Sequence, residues 1–224
     1  MKKIYGIGIG PGDKELITLK AYRLIKECDY IFVPMSKGKS LAKTIVSEYT
    51  EGKDVIEIEF PMGEKNAIRY RNAAEKMDHM MKDGQTAVFL TLGDAMVYST
   101  YIYLMLELQK LDFQVETVPG ITSFNAAASC LNMPLTMKDE RFCLCDRFVD
   151  EEILKRVDSI AVLKVNTNKE DILNKLEKHR FHYVYIKRCM LPEQKTLYDR
   201  HAILADDDYM SLIIARKVGV RSGE

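Results

Sequence analysis

Short apolar runs alternate with amphipathic stretches from the start of the chain. Residues 4–9 are apolar with interleaved glycines and predict a buried strand. From Asp13 to Asp29, Leu16, Leu19, Ala21, Leu24, Ile25 and Cys28 fall at helical spacing on one stripe. Tyr30-Ile31-Phe32-Val33 predicts a short strand ended by Pro34, and 40–49 a helix. Val55 to Phe60 predicts a strand, and 66–82, rich in Lys, Glu, Arg and Ala, a long helix stopped by Asp83-Gly84. An apolar strand entering a turn (TAVFLTLGD, 86–94), an apolar helix (YSTYIYLMLELQKL, 98–111) and a further strand (QVETVPG, 114–120) follow. This alternation is the pattern of a parallel or mostly parallel α/β sheet.

Beyond Pro119-Gly120 the spacing loosens. A small-residue helix around Ala126, Ala127, Ala128 and Ser129 precedes the polar TMKDERF stretch. Strands are predicted at RFCLC (141–145), SIAVLKV (159–165), HYVYIKR (182–188) and YMSLIIARKV (209–218), with helices at 150–157 and 169–179. An antiparallel or mixed sheet fits this half as well as a parallel one. The expectation is two α/β domains, 1–119 and 120–224.

Composition narrows the function classes. Apolar residues are 47% and charged residues 29% of the 224, which is ordinary globular composition. Thirty-three basic residues balance thirty-three acidic ones, so nothing asks for nucleic acid or a membrane surface. No apolar run reaches the ~20 residues of a membrane helix. The N-terminal apolar stretch is broken by glycines and ends in Pro11, unlike a signal peptide. Five scattered cysteines do not make a disulfide framework, and a cytoplasmic protein is expected.

The chemistry is concentrated in three turns. YGIGIGPGD has glycine at every second position and stops at Asp13, which stands where a helix cap belongs. It fails as a dinucleotide fingerprint: the sixth position is Pro11 counting from Gly6 and Asp13 counting from Gly8. Gly38-Lys39-Ser40 fails as a phosphate loop, because Val33 stands where its first glycine should. A second turn has Gly93-Asp94 followed by the hydroxyls of Tyr98, Ser99 and Thr100, and a third has Pro119-Gly120 followed by Thr122 and Ser123. Each ends a strand and opens a helix. Together they would sit at the carboxyl edge of the sheet, where open α/β sheets bind ligands.

In order, YGIGIGPGDKELITLKA, GDAMVYST and PGITSFNAAASCLNMPL resemble the three signature motifs of the tetrapyrrole (corrin/sirohaem) S-adenosylmethionine methyltransferases. VPMSKGKSLA, EFPM and FLTLGDAMVYSTY resemble, more narrowly, the branch that methylates carbon 20 of precorrin-2 or its cobalt form. Two departures stand out: Ala95 replaces the proline of the family's usual Gly-Asp-Pro, and FCLCDRF follows PLTMKDER. The resemblance implies the tetrapyrrole methylase fold, with a mostly parallel sheet in the first domain, a mixed sheet in the second and a cofactor cleft between them. It implies a homodimer with S-adenosylmethionine as co-substrate.

Carried over by position, the cofactor-binding residues would be Pro11, Gly93, Asp94, Val97, Ser99, Thr100, Thr122, Ser123, Val165, Ser211 and Leu212. Tyr98 and Asp13 are the candidates for proton handling; a packed tyrosine and a helix cap are the plainer readings. Lys37, Lys39, Arg69 and Arg71 are candidate partners for a polycarboxylate substrate, with solvation as the plainer role of each. Cys143-x-Cys145 and His179-x-x-His182 each supply two ligands, short of the four of a structural metal site, so no protein-bound metal is expected. Any cobalt belongs to the substrate. A nicotinamide-dependent Rossmann oxidoreductase, a methyltransferase acting on another corrin carbon and a non-enzymatic binding module are the competing readings.

Overall fold

The computed structural model describes residues 1–60 and 67–217. Pro61 and Met62 of the EFPM motif, Asn66 of the predicted long helix and Val218 of the last predicted strand lie outside them. The chain forms two compact units, Met1–Thr122 and Ser123–Glu224.

The first unit contains β1 (Lys3–Gly8), α1 (Leu19–Glu27), β2 (Tyr30–Met35), α2 (Leu41–Ile45), β3 (Val55–Glu59), α3 (Ala67–Met80), β4 (Thr86–Thr91), α4 (Thr100–Leu108) and β5 (Gln114–Val118). Its five strands are all parallel, in the order β3-β2-β4-β1-β5. Phe32, Phe89, Met77, Tyr101 and Leu104 fill the core on one side of the sheet, with the Phe89 and Tyr101 rings stacked at 5.9 Å.

Local chemistry explains where prediction and structure part. The first helix begins only at Leu19. Asp13 caps a single 3-10 turn at Lys14–Leu16, Ile17 is extended, and Thr18 caps afresh by accepting from Ala21 N at 3.2 Å. At its other end Lys53 Nζ donates to the carbonyls of Ile25 (3.1 Å) and Cys28 (2.8 Å), meeting orphaned acceptors with a cation. The predicted helix at 40–49 is α2 followed by a 3-10 turn at Ser47–Tyr49. β2 runs through Pro34 to Met35. It pairs with β4 only at Tyr30 to Phe32, so on that side the missing proline N–H breaks no ladder bond.

The second unit contains α5 (Ser123–Leu131), β6 (Phe142–Asp146), α6 (Glu151–Arg156), β7 (Ser159–Leu163), α7 (Lys169–Lys178), β8 (Phe181–Lys187), β9 (Lys195–Leu197), α8 (Arg200–Ala205) and β10 (Ser211–Lys217). Its sheet is mixed, in the order β6-β7-β10-β8-β9: β6 and β7 are parallel, and β10 is antiparallel to both neighbours. The FCLCDRF departure is thus strand β6 and the turn after it. β9 and α8 were not expected: β9 spans three residues, and α8 lacks the acidic first turn and basic last turn that mark the equally short α6. The Asp199 carboxylate caps α8 through Ala202 N at 2.9 Å. Arg216 ties the segment after α5 to the sheet, donating to Pro134 O (2.7 Å), Leu135 O (3.1 Å) and Glu140 Oε1 (2.6 Å). Among the described residues no helix is long and apolar enough to cross a membrane.

Candidate active site

β4, β1 and β5 are consecutive in the first sheet and parallel, so the three glycine turns emerge side by side at one edge. Beyond the ladder, Ile9 N donates to Thr91 O at 2.9 Å. Gly10 and Gly93 then exchange backbone hydrogen bonds of 3.2 and 2.7 Å, lacing the first turn to the second. Gly8 and Gly120 bring the first and third turns into backbone contact. A Cβ on Gly8 would stand 2.5 Å from Gly93 O and 2.7 Å from Gly120 N, and one on Gly120 2.2 Å from Gly93 O. No larger residue fits either position without moving the main chain.

Asp94 completes the lacing. One carboxylate oxygen accepts from Met96 N in its own turn at 2.8 Å; the other accepts from Gly120 N at 2.9 Å. The same carboxylate caps its turn and holds the third turn against the second. Ala95 is fully buried in the core. Ser99 is buried too: its hydroxyl caps α4 through Tyr101 N at 3.2 Å and lies 3.1 Å from the Thr91 hydroxyl. Thr100 is the first residue of α4, Val97 N reaches back to Asp94 O at 3.4 Å, and Pro11 is buried in the first turn. Between these anchors Tyr98 is held at φ 47° and is 47% exposed. Left-handed backbone is unusual for a bulky residue, and the turn holds it there.

Asp13 accepts from Glu15 N at 2.9 Å as the cap of its 3-10 turn. Thr122 closes the first unit and Ser123 opens α5. In the second unit Val165, Ser211 and Leu212 stand together and buried, because Leu212 pairs with Leu163 and Lys164 N donates to Ser211 O at 2.7 Å. Ser211 Oγ is enclosed beside the Tyr185 hydroxyl without a well-directed hydrogen bond. Lys37 and Lys39 flank Gly38 on an exposed hairpin turn, closed by mutual Ser36–Lys39 backbone bonds of 3.0 and 3.1 Å, at the carboxyl end of β2. Arg71 faces Glu107 at 4.0 Å, and Arg69 is half-buried on α3.

The cysteine pair serves packing and His179 a helix end, while His182 is exposed on β8. Cys143 and Cys145 project from one face of β6 with their sulfurs 3.7 Å apart, against the second core. His179 closes α7 with Nε2 3.1 Å from Glu151 Oε1. Among the described residues no three His, Cys, Asp or Glu side chains group to hold a metal ion.

Sequence reading missed which glycines close the edge. The alternation at Gly6, Gly8 and Gly10 signalled close approach, yet the partners Gly93 and Gly120 are distant in the chain. Three laced turns offering main-chain N–H and C=O groups and small hydroxyls suit a polar ligand held by its outline rather than by opposite charge. Gly93 fits that use: at φ 66° its main chain faces open space where a side chain would stand.

Residues 3–202 match the model of the Tetrapyrrole (Corrin/Porphyrin) Methylases. The chain belongs to this family. The methylase is 36% identical to the probable cobalt-precorrin-2 C(20)-methyltransferase of Methanocaldococcus jannaschii, over 97% of each chain. It is 33% identical to the cobalt-precorrin-2 C(20)-methyltransferase of Salmonella typhimurium, over 73% of each. Among solved structures, a uroporphyrin-III C-methyltransferase from Thermus thermophilus complexed with S-adenosylhomocysteine superposes with TM-score 0.73 at 23% identity, covering 96% of this methylase and 97% of that chain. A cobalt precorrin-4 methyltransferase superposes with TM-score 0.78 at 21% identity, covering 96% and 94%. At those identities they establish the shared fold. The methylase's first sheet also departs from the 3-2-1-4-5-6 strand order of the dinucleotide-binding fold, which removes the basis for the oxidoreductase reading.

Proposed function

We propose that this methylase transfers the methyl group of S-adenosylmethionine to carbon 20 of precorrin-2 or its cobalt complex, in cobalamin biosynthesis. The observation that carries the reading is the identity to the archaeal relative over nearly the whole of both chains. The laced edge of the first sheet supports it. S-adenosylmethionine supplies an electrophilic methyl group, and the bridging carbon of a reduced tetrapyrrole is the nucleophile. The protein's task is then to hold the two in line and exclude water, worth about 7–11 kcal/mol at best.

The glycine turns carry that task. Gly93, Pro11, Val97 and Thr100 form the wall of the co-substrate site, with Thr122 and Ser123 adding hydroxyls. Asp94 and Ser99 act through the turns they hold, since their oxygens are engaged with Gly120, Met96, Tyr101 and Thr91. The family resemblance adds Val165, Ser211 and Leu212 to the cofactor-binding residues. Tyr98 presents its hydroxyl toward substrate and handles the displaced proton; Asp13 supports the first turn as its cap. The protein works in the cytoplasm as a homodimer, which sedimentation of the purified protein tests.

Anaerobic incubation with labelled S-adenosylmethionine and, separately, precorrin-2 and cobalt-precorrin-2 tests the reaction. One methyl on carbon 20, located by NMR, is expected with at least one substrate, and the preferred substrate names the route. A methyl on any other carbon, or none with both, refutes the reading.

A further inference from the structure

Three sulfur atoms cluster in the second unit. Cys130 lies in the last turn of α5 and is exposed. Its Sγ is 3.7 Å from Met190 Sδ. Cys189, in the turn after β8 and next in the chain to Met190, is 6% exposed, so the Cys130–Met190 contact sets the two cysteines in one cluster. The turn that delivers Cys189 is unusual: Arg188 before it and Met190 after it are left-handed, at φ 50° and 62°. For non-glycine residues that conformation is sparsely populated and persists only where the surroundings impose it.

We propose that Cys130 and Cys189 are a redox-active pair that closes to a disulfide by exchange with a low-molecular-weight disulfide such as glutathione disulfide. Cys130 acts first. It is the exposed member, whereas burial and the adjoining Cys130 sulfur push the Cys189 thiol up to about 12. The Cys130 thiolate attacks one sulfur of the incoming disulfide. That S–S bond breaks, one thiolate leaves with the electron pair and takes up the proton Cys130 gave, and a mixed disulfide remains. The Cys189 sulfur, one residue from the Met190 that touches Cys130, then attacks the Cys130 sulfur as its own proton passes to the second departing thiolate. Two protein thiols are oxidised and one small disulfide is reduced to two thiols. Excess small thiol reverses both steps.

The other close pair sets the contrast. Cys143 and Cys145 have sulfurs 3.7 Å apart, but they lie two residues apart on one strand. A strand rise of about 3.3 Å per residue holds their Cα atoms about 6.6 Å apart, near the upper limit of disulfide geometry. Their side chains run parallel, and β6 is fixed by its ladder to β7. Burial and the Cys143 sulfur push Cys145 up to about 12. Cys130 and Cys189 sit instead on a helix end and a turn, which can close without breaking a ladder.

The test uses the reduced full-length protein, incubated anaerobically with glutathione disulfide, alkylated, and read by intact mass and peptide mapping. The wild-type chain is expected to lose two hydrogens in mass and to yield a Cys130–Cys189 cross-linked peptide, with Cys143 and Cys145 fully alkylated; dithiothreitol restores the starting mass. C189S is expected to stop one glutathione heavier at position 130, and C130S to stay unmodified. A stable mixed disulfide on wild-type Cys130, a cross-link at Cys143–Cys145, or no reaction would overturn the proposal. The wild-type result decides the matter even where a variant folds poorly.

Discussion

Replacing Gly8 by alanine adds one methyl group where three glycine turns meet. The added Cβ would lie 2.5 Å from Gly93 O, 2.7 Å from Gly120 N and 2.8 Å from Gly120 Cα, all main-chain atoms that cannot rotate aside. Ordinary contact begins at 3.4 Å, so the second turn must retreat by about 0.9 Å and the third by nearly as much. Overpacking of this kind costs about 1–3 kcal/mol. Displacing positioning groups by about 1 Å lowers turnover by roughly 10²-fold, because the methyl and the bridging carbon leave near-attack geometry. Gly8→Ala is therefore expected to lower the melting temperature by several degrees and kcat/KM for methyl transfer by roughly 10²-fold. Gly6→Ala is the matched control. Its Cβ would meet the Tyr101 ring at 1.8 Å, in the core on one face of the sheet rather than at the turns. It is expected to cost at least as much stability and far less activity in the fraction that stays folded. Melting curves by circular dichroism and single-turnover methyl transfer separate the two effects. A Gly8→Ala enzyme with wild-type kcat/KM would refute the role given to the laced turns.

Other changes probe the same arrangement. Asp94→Asn turns one carboxylate acceptor into an N–H donor facing a backbone N–H, of Met96 or Gly120; a loss of about 1–3 kcal/mol, with reduced affinity for S-adenosylhomocysteine by calorimetry, is expected. Ser99→Ala removes the cap of α4 and should cost about 1 kcal/mol in denaturant unfolding. Acid should weaken the fold from a specific pair: the side chains of Lys178 and His179 hold the Glu151 carboxyl down at about 2. The unfolded chain carries glutamate near ~4.3, so it binds protons first as pH falls. The contribution is complete above about pH 5 and is lost progressively toward pH 2. Melting temperatures across that range should fall less steeply for Glu151→Gln.

The local chemistry of this protein is legible in its sequence. Strand–helix alternation, the Gly93-Asp94 turn, the hydroxyl at Ser99 and the cap at Asp13 depend on residues a few positions apart, and side-chain period and capping chemistry act over that range. Spacing alone left the second sheet open between parallel, antiparallel and mixed; the mixed sheet, which the structure has, was implied by the family resemblance. Short or doubly capped elements escaped. β9 holds too few residues to set a period, α8 lacks the charged ends that mark α6, and the two caps at Asp13 and Thr18 split what reads as one helix.

What joins the site came from packing. The strand order β3-β2-β4-β1-β5 places the turns after residues 8, 91 and 118 side by side, and no local pattern encodes that order. It lets the Asp94 carboxylate reach Gly120 N and makes Gly8 and Gly120 too close for a Cβ, while packing inside the second unit sets Cys130 Sγ 3.7 Å from Met190 Sδ. The sequence specifies which residues can turn, cap or be buried. Which of them touch is settled when sheets bury their faces and distant segments compete for the same space, and only the tertiary structure records that outcome.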